Sequence, residues 1–445
     1  MAKILISPLG VGRKKEDRRY YSATYKFNEN GKIYKTPFVA SALAEENKVD
    51  KIFFIGTGKS MWEEVYYHFQ EKINSNIDFN YWEQLGEEIE RFDYKSEGYD
   101  EEILEKVNIS INKYLKSFNF KSKDDSKCFL IKYGVDEKEL FYNLDIFMMI
   151  SNEIHPEDEV YLDITHSFRS IPLFLYLMLD FIRTLKTQEI HIKGVYYGMF
   201  EAKDDDGLVP IVDLKSLLEI SRWIRGTNDF VNYGNGYLIS ELVEDKGIKK
   251  NIKNMTHAIN INYIFRIRKQ INNLSEKLNK ANLDDMGMFK YVSTTIREFI
   301  ERFANIEKDY KFQLEMSKWF NENSRYSSAY ICLIESIVTR LCDIYDLDST
   351  NHEKRELAKS VMFNVKVIRE NKRILKLKKE YKSVNRIRKR IAHAMPEGNK
   401  ATYVDDIDNF NNYFETIISI LDDKSIEEIP NKVSIEEIKR SYKKR

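Results

Sequence analysis

Cysteine, proline and glycine are all scarce in this 445-residue chain, which holds 3 Cys, 7 Pro and 17 Gly. Three cysteines, Cys128, Cys332 and Cys342, cannot build a disulfide framework or a Cys-rich zinc centre. They read as buried, reduced thiols of a cytoplasmic protein. So little glycine and proline excludes collagen-like, low-complexity and turn-dense all-β architectures. Net charge is lacking too. The 71 Lys+Arg balance 71 Asp+Glu, which rules out a globally basic nucleic-acid coat but leaves room for a local basic site. No membrane segment is expected: the apolar run at 171–179 gives way to Asp180 and Arg183, short of the roughly 20 residues that span a bilayer. The N-terminal apolar run is too short for a secretory signal.

Apolar residues make up 42% and charged residues 32%, enough for real cores, and the length predicts two or three domains. Fourteen of the 17 Gly and five of the 7 Pro precede residue 237, so turns crowd the first half and long periodic stretches fill the second. In the first half, short apolar runs at 3–7, 51–55, 128–132, 159–163 and 191–197 suit strands buried on both faces. Helical patterns at 37–46, 60–71, 138–153 and 170–186 lie between them, which predicts βαβ units and a parallel sheet. Residues 79–126 read as a charged helical insertion, and 209–225 as a closing segment whose helix ends near Gly226. Beyond 237 the pattern is helical, with stretches at 324–343, 361–374, 376–392 and 404–421. The last, 435–445, reads as a solvated basic tail. Tyr330, Ile334, Ile337 and Leu341 form one apolar stripe of the first stretch.

In an open parallel sheet, ligands bind beyond the carboxyl ends of the strands. Those ends carry Ser7-Pro8-Leu9-Gly10-Val11-Gly12-Arg13-Lys14, Gly56-Thr57-Gly58-Lys59-Ser60, Tyr133-Gly134 and Asp163-Ile164-Thr165-His166-Ser167-Phe168-Arg169. Glycine lets backbone N–H groups approach phosphate, and helix N-termini favour anions. Gly58-Lys59-Ser60 lacks the earlier glycine of a P-loop, since Phe53 stands there, and Gly10-x-Gly12 lacks the third glycine of a dinucleotide fingerprint. Taken singly, each loop reads first as an ordinary tight βα turn with Ser60 or Thr165 as N-cap. The set argues more than any member.

Asp163-Ile164-Thr165-His166 followed by Arg169 resembles the DxTHG signature of CRISPR-associated proteins with a CARF domain. Similar segments include Phe54-Ile55-Gly56-Thr57 with Ser60 and Trp62, Gly134 with Glu137, Glu139 and Leu140, and 197–202 with Asp213-Leu214. The signature's final glycine is Ser167 here. The resemblance covers about 4–223 and implies a Rossmann-like sensor of cyclic oligoadenylate, either cyclic tetra-adenylate or hexa-adenylate. Its ligand contacts would come from Gly10, Gly12, Arg13, Gly56, Thr57, Gly58, Ser60, Gly134, Asp163, Thr165, His166, Ser167 and Arg169. A polyanionic ring suits N–H-rich loops and a few cations (Arg13, Lys14, Lys59, Arg169), and a symmetric ring suits a two-fold dimer. His166 would either bond the ligand or hold the turn.

The second half carries a different candidate. Residues 369–390 hold eleven Lys/Arg and two Asp/Glu on a helical stretch, which is either a solvated face or a surface that tracks phosphates. At its end stand Asn385, Arg388 and His393, with Pro396 beyond. Arg388 and His393 form R-x4-H, the motif of HEPN ribonucleases, with Lys389 where the family often has Asn. Histidine transfers protons near neutral pH, and arginine offers always-charged donors to a crowded phosphate. Five residues turn about 140° beyond a full helical turn, so the pair does not share a face unless Pro396 loosens the helix. The resemblance implies a composite site where two subunits meet. Asn385 is a further candidate for orienting substrate. Glu335 is a candidate orienter of the motif arginine, though a surface carboxylate is its plainer reading.

The expected architecture is an α/β Rossmann-like CARF domain (1–225), a helical connector (226–315) and an all-α HEPN domain (316–445). The expected function is a homodimeric or larger, ligand-activated endoribonuclease that cuts single-stranded RNA with neither metal nor cofactor. Two alternatives remain: a nucleotide-sensing regulator without nuclease activity, and a CARF domain that degrades its own ligand.

Overall fold

The structure is a computed structural model that describes residues 2–28, 31–93, 101–119, 121–166, 170–185, 190–393 and 402–442. Ser167, Arg169 and Pro396 lie outside the described residues. The chain divides into two compact units, Met1–Ser221 and Arg222–Arg445.

Eight strands form one sheet in the first unit: β1 (Lys3–Leu9), β2 (Ala23–Phe27), β3 (Ile33–Thr36), β4 (Lys51–Gly56), β5 (Lys127–Leu130), β6 (Glu159–Asp163), β7 (His191–Gly198) and β8 (Leu208–Asp213). Their order is β3-β2-β8-β7-β6-β1-β4-β5, and the run β7-β6-β1-β4-β5 is parallel throughout. The helices are α1 (Val39–Asn47), α2 (Trp62–Lys72), α3 (Phe79–Arg91), α4 (Glu105–Phe118), α5 (Glu137–Asn152) and α6 (Ser170–Leu185). Alternate residues of β1 and β4 serve opposite faces. Leu5, Leu9, Ile52 and Phe54 join one apolar cluster with α1 to α4. Ile4, Ile6, Phe53 and Ile55 join another with α5 and α6. Burial on both faces is why these strands read as unbroken apolar runs rather than alternating ones.

The five expected strands are present, and α3 and α4 occupy the expected insertion. The antiparallel pair β2–β3 was not expected. Its residues mix polar with aromatic side chains, and β3 is an edge strand that is mostly open to solvent. The closing segment also differs. It contains β8, antiparallel to β7, and then α7 (Ser216–Tyr233), which runs through Gly226 rather than ending there. A Cβ at Gly226 would lie 3.1 Å from Ile239 Cγ1, so the glycine permits close packing instead of a stop.

The second unit is helical: α8 (Tyr237–Leu242), α9 (Lys246–Asn260), α10 (Ile264–Lys280), α11 (Phe289–Ala304), α12 (Asp309–Glu322), α13 (Tyr326–Ile344), α14 (His352–Val361), α15 (Val365–Glu370), α16 (Lys372–Ala392), α17 (Tyr403–Asp408), α18 (Phe410–Leu421), α19 (Ile429–Lys432) and α20 (Ile435–Tyr442). One apolar cluster runs from Trp223 to Ile438, so the core shows no break at the expected division near 315. Helix α13 packs against α12, α14, α16 and α18. The stripe Tyr330, Ile334, Ile337 and Leu341 is buried, and so are Cys332, Ser336 and Arg340 on its other faces, so α13 is a central helix rather than an amphipathic one.

The expected helix at 361–374 is broken twice. Asn364 caps α15 by accepting from the N–H groups of Lys366 and Val367, and Asn371 caps α16 by accepting from that of Arg373. The expected solvated tail is a helix whose Ile438 is buried. Among the described residues no helix is long and apolar enough to cross a membrane.

Candidate functional sites

Strand order reverses between β1 and β6, so the crevice beyond their carboxyl ends is the topological switch point of the sheet. A buried hydrogen bond spans it: Ser7 Oγ donates to Asp163 Oδ2 at 2.7 Å. Asp163 Oδ1 accepts from the Thr165 N–H at 2.8 Å, and Thr165 Oγ1 accepts from the Gly198 N–H at 2.9 Å. The aspartate of the signature therefore ties β1 to the turn after β6, and the threonine ties that turn to β7.

His166 Nε2 accepts from the Val39 N–H at 3.4 Å and lies 3.5 Å from the Tyr25 hydroxyl. An accepting Nε2 leaves Nδ1 to carry the ring proton. Burial pushes the His166 pKa down, with partial opposition from Asp163, so the ring is held neutral. Between the two readings of His166, this geometry favours holding the turn through Nε2.

The loop after β4 folds on itself. Ser60 Oγ donates to the Leu9 carbonyl at 2.6 Å and accepts from the Thr57 N–H at 3.0 Å, while Trp62 Nε1 donates to the Thr57 carbonyl at 2.9 Å. Gly56, Thr57, Gly58 and Ser60 are all buried. A Cβ at Gly58 would lie 2.4 Å from the Phe92 ring, and one at Gly56 would lie 2.7 Å from Ser60 Oγ. These glycines make room for the protein's own side chains. Their position favours bracing β1 against β4 over meeting a ligand.

Gly134 has φ +77°, and its N–H and that of Val135 both donate to Glu139 Oε2, at 2.8 and 3.1 Å. That loop's donors are engaged.

The loop after β1 is different. Gly10, Val11, Gly12 and Arg13 are partly or fully exposed, and among the described residues their N–H groups have no hydrogen-bond partner. They offer four donors at the switch point, with Arg13 as the exposed cation. Two other expected cations are spoken for. Lys14 Nζ pairs with Glu63 at 3.0 Å and Glu90 at 3.2 Å, and Lys59 Nζ donates to the Glu90 carbonyl at 2.8 Å. Burial disfavours the Lys14 charge, but the two carboxylates outweigh it and raise its pKa.

The sequence reading missed this anchoring. Tyr20 donates to the buried Glu63 at 2.8 Å, and Arg19 pairs with the buried Glu64 at 2.9 Å, so residues 13–21 are pinned to α2. The signal was legible: two adjacent carboxylates inside the apolar run Met61–Tyr67 require cations, and residues 13–19 supply them.

In the second unit, α16 carries Asn385 and Arg388, and His393 is its C-cap. The His393 N–H still donates to the Lys389 carbonyl at 3.0 Å. The backbone therefore stays wound through His393. The expected loosening is not observed within the described residues, and within one chain the two motif side chains leave the helix on different faces. Arg388 is half-buried, its Nε has no hydrogen-bond partner, and among the described residues it has no carboxylate partner. Two residues on, Arg390 pairs with Asp406 of α17. Glu335 pairs with Arg355 of α14 at 2.5 Å, not with Arg388. Cys128, Cys332 and Cys342 are buried and form no disulfide, and burial pushes the Cys332 thiol up.

Residues 4–201 match the family model of "CRISPR system endoribonuclease Csx1, CARF domain", and residues 219–311 match that of "CRISPR-associated protein MJ1674, second domain". CRISPR-associated protein MJ1674 of Methanocaldococcus jannaschii is 41% identical over 401 residues, covering 88% of this chain. The chain spans 62% of that relative's length. A solved structure, Enterococcus italicus Csm6 bound to cyclic hexa-2'-fluoro-hexa-dAMP, aligns with 100% of this chain and 98% of that chain at 12% identity and a TM-score of 0.41, a likeness too distant to argue from. With the parallel sheet, its switch point and the Asp163–His166 turn in place, the chain is a CRISPR-associated protein whose N-terminal residues 4–201 form a CARF domain.

Proposed function

We propose that this chain is an endoribonuclease switched on by a cyclic oligoadenylate. One observation carries the nuclease half. Arg388 stands near the end of a basic helix, half-buried and, among the described residues, without a carboxylate partner, five residues before the exposed His393, whereas its neighbour Arg390 is neutralised by Asp406. An arginine kept free of carboxylates is available to a phosphate.

In the proposed reaction the RNA 2'-hydroxyl attacks the adjacent phosphorus. The O2'–P bond forms, the P–O5' bond breaks, and the products are a 2',3'-cyclic phosphate and a 5'-hydroxyl. His393 moves the proton, either from the 2'-oxygen or to the leaving 5'-oxygen. Arg388 stabilises the charge that builds on the phosphoryl oxygens. Because the two residues leave α16 on different faces, the reading places Arg388 of one copy near His393 of another in a homodimer. Asn385, one turn before Arg388, would orient the strand. No metal or cofactor enters this chemistry.

The activator would bind at the CARF switch point, where the free N–H groups of 10–13 and the Arg13 side chain favour phosphate. That the turn after β6 also contributes rests on the family resemblance of Thr165 and His166. The alternative in which the CARF domain degrades its ligand has less support, because Ser7, Ser60 and His166 Nε2 are already engaged inside the protein.

The test is cleavage of labelled single-stranded RNA in the presence of cyclic tetra-adenylate or hexa-adenylate. His393→Ala and Arg388→Ala should each lower the rate by about 100-fold or more. A His393→Ala protein that cuts as fast as wild type sinks the assignment.

A further inference from the structure

The cations of α16 are not spread evenly around the helix. Lys372, Lys376, Lys379, Lys382, Arg386 and Lys389 follow one another at intervals of three or four residues, and His393 continues the series. At 100° per residue these seven positions fall within about 140° of the circumference, with His393 inside the band and Arg388 outside it. The helix is wound to its end, so the stripe is continuous, and it extends about 31 Å along the axis at 1.5 Å per residue. All seven side chains are exposed. Glu380, the one acidic residue of α16, falls outside the band.

Off the stripe, Arg373 pairs with Asp423 at 2.7 Å. Arg390 falls inside the band and is half-buried, and it pairs with Asp406 of α17, so it is not one of the open cations. Among the described residues none of the other six cations forms an ion pair within 4 Å, although Arg386 lies close enough to Asp406 to interact with it and the chain carries as many acidic as basic side chains. Lys382 only overlies the Phe363 ring, 6.0 Å from its centroid. A row of like charges left unneutralised opposes folding and is stabilised by a polyanion.

We infer that this stripe is a track for the backbone of single-stranded RNA that delivers the strand lengthwise to His393. The inference rests on the nuclease reading and deepens it: the substrate would be an extended single strand several nucleotides long. The cations recur about every 5 Å along the axis, which suits successive phosphates of one flexible strand. A single row on one convex helix face gives contact to one backbone rather than to the two that border a duplex groove. Because the contacts are to phosphate, they carry affinity without base preference.

The experiment uses the full chain with His393→Ala, so that bound RNA stays intact, and a fluorescent 20-nucleotide oligouridine as probe. Affinity is measured by anisotropy over a series of KCl concentrations. Each phosphate neutralised on a single strand contributes about −0.7 to the slope of log K against log salt. Replacing Lys372, Lys376 and Lys379 together by Ala should reduce the slope by about 2 and weaken binding by at least about tenfold at 0.1 M salt. The three positions are exposed and alanine favours helix, so the variant keeps its fold. The same three changed to Arg should restore the slope. A control with equal loss of charge on α9, Lys249, Lys250 and Lys253 to Ala, should leave it unchanged. The track is rejected if the Ala triple keeps the full slope, if the α9 control loses as much, or if the parent binds no RNA. A chain that binds along the stripe yet never cuts, with His393 intact and activator present, keeps the track and loses the nuclease reading.

Discussion

A methyl group at position 12 would sit 2.4 Å from Tyr20 Cδ1 and 2.9 Å from Met61 Sδ. Tyr20 cannot retreat freely, because its hydroxyl is bonded to the buried Glu63. Gly12→Ala should therefore cost about 1–3 kcal/mol by overpacking, read as a lowered denaturation midpoint, and should weaken nucleotide binding by moving the 10–13 loop. His68 gives a pH test. It is buried beside Ser41 Oγ at 3.0 Å, and burial holds its pKa at about 3. Its pKa is depressed on folding, so the unfolded chain binds the extra proton first. The stability it supports is complete above about pH 6.5 and falls by about 1.4 kcal/mol per pH unit as pH drops toward 3. His68→Gln should flatten that slope in denaturant titrations between pH 6.5 and 4; an unchanged slope would show that His68 is not the titrating group. At this scale the sequence disclosed residue types better than residue duties. It marked Ser60, Asp163 and Thr165 as notable, but their hydrogen bonds run to Leu9, Ser7 and Gly198, partners 33 to 156 positions away that no local pattern reveals.

Among the elements, the central strands and the long helices were legible because burial on both faces and helical periodicity each leave a repeating mark. The pair β2–β3 was harder to see, since β2 buries only Tyr25 and Phe27 among polar neighbours and β3 is a mostly exposed edge strand, and Gly226 misled because a helix interior tolerates glycine where a neighbour packs close. The breaks at Asn364 and Asn371 were open to reading as N-caps. The end of α16 also depends on a partner outside its own pattern. Arg390 reaches Asp406, and the Asp406 carbonyl accepts from the Tyr330 hydroxyl, so α16 and α17 are held on either side of the segment that follows His393. Asp406→Ala should cost about 1–3 kcal/mol and leave Arg390 without its carboxylate. RNA cleavage should then fall mainly in kcat, with KM little changed. Equal stability and equal kcat would show that this ion pair places nothing.

For the whole molecule, zero net charge conceals two local arrangements of opposite kind. In the CARF domain, Lys14 and Arg19 are neutralised by Glu63, Glu64 and Glu90, which leaves the N–H groups of 10–13 and the exposed Arg13 to meet a nucleotide. In the helical unit the reverse holds, and six cations of α16 lead unpaired to His393. The composition excluded a basic coat, but it had no means of showing where pairing stops. A sensor and a nuclease in one chain are coupled only if the nucleotide binds the active arrangement better than the resting one. The measurement that bears most directly on this is cleavage of single-stranded RNA by the purified wild-type chain, with and without cyclic tetra-adenylate or hexa-adenylate. The account predicts products ending in 2',3'-cyclic phosphate and a rate that rises at least about tenfold with one of the two activators. A rate unaffected by either nucleotide, or no cleavage under any condition, would contradict it.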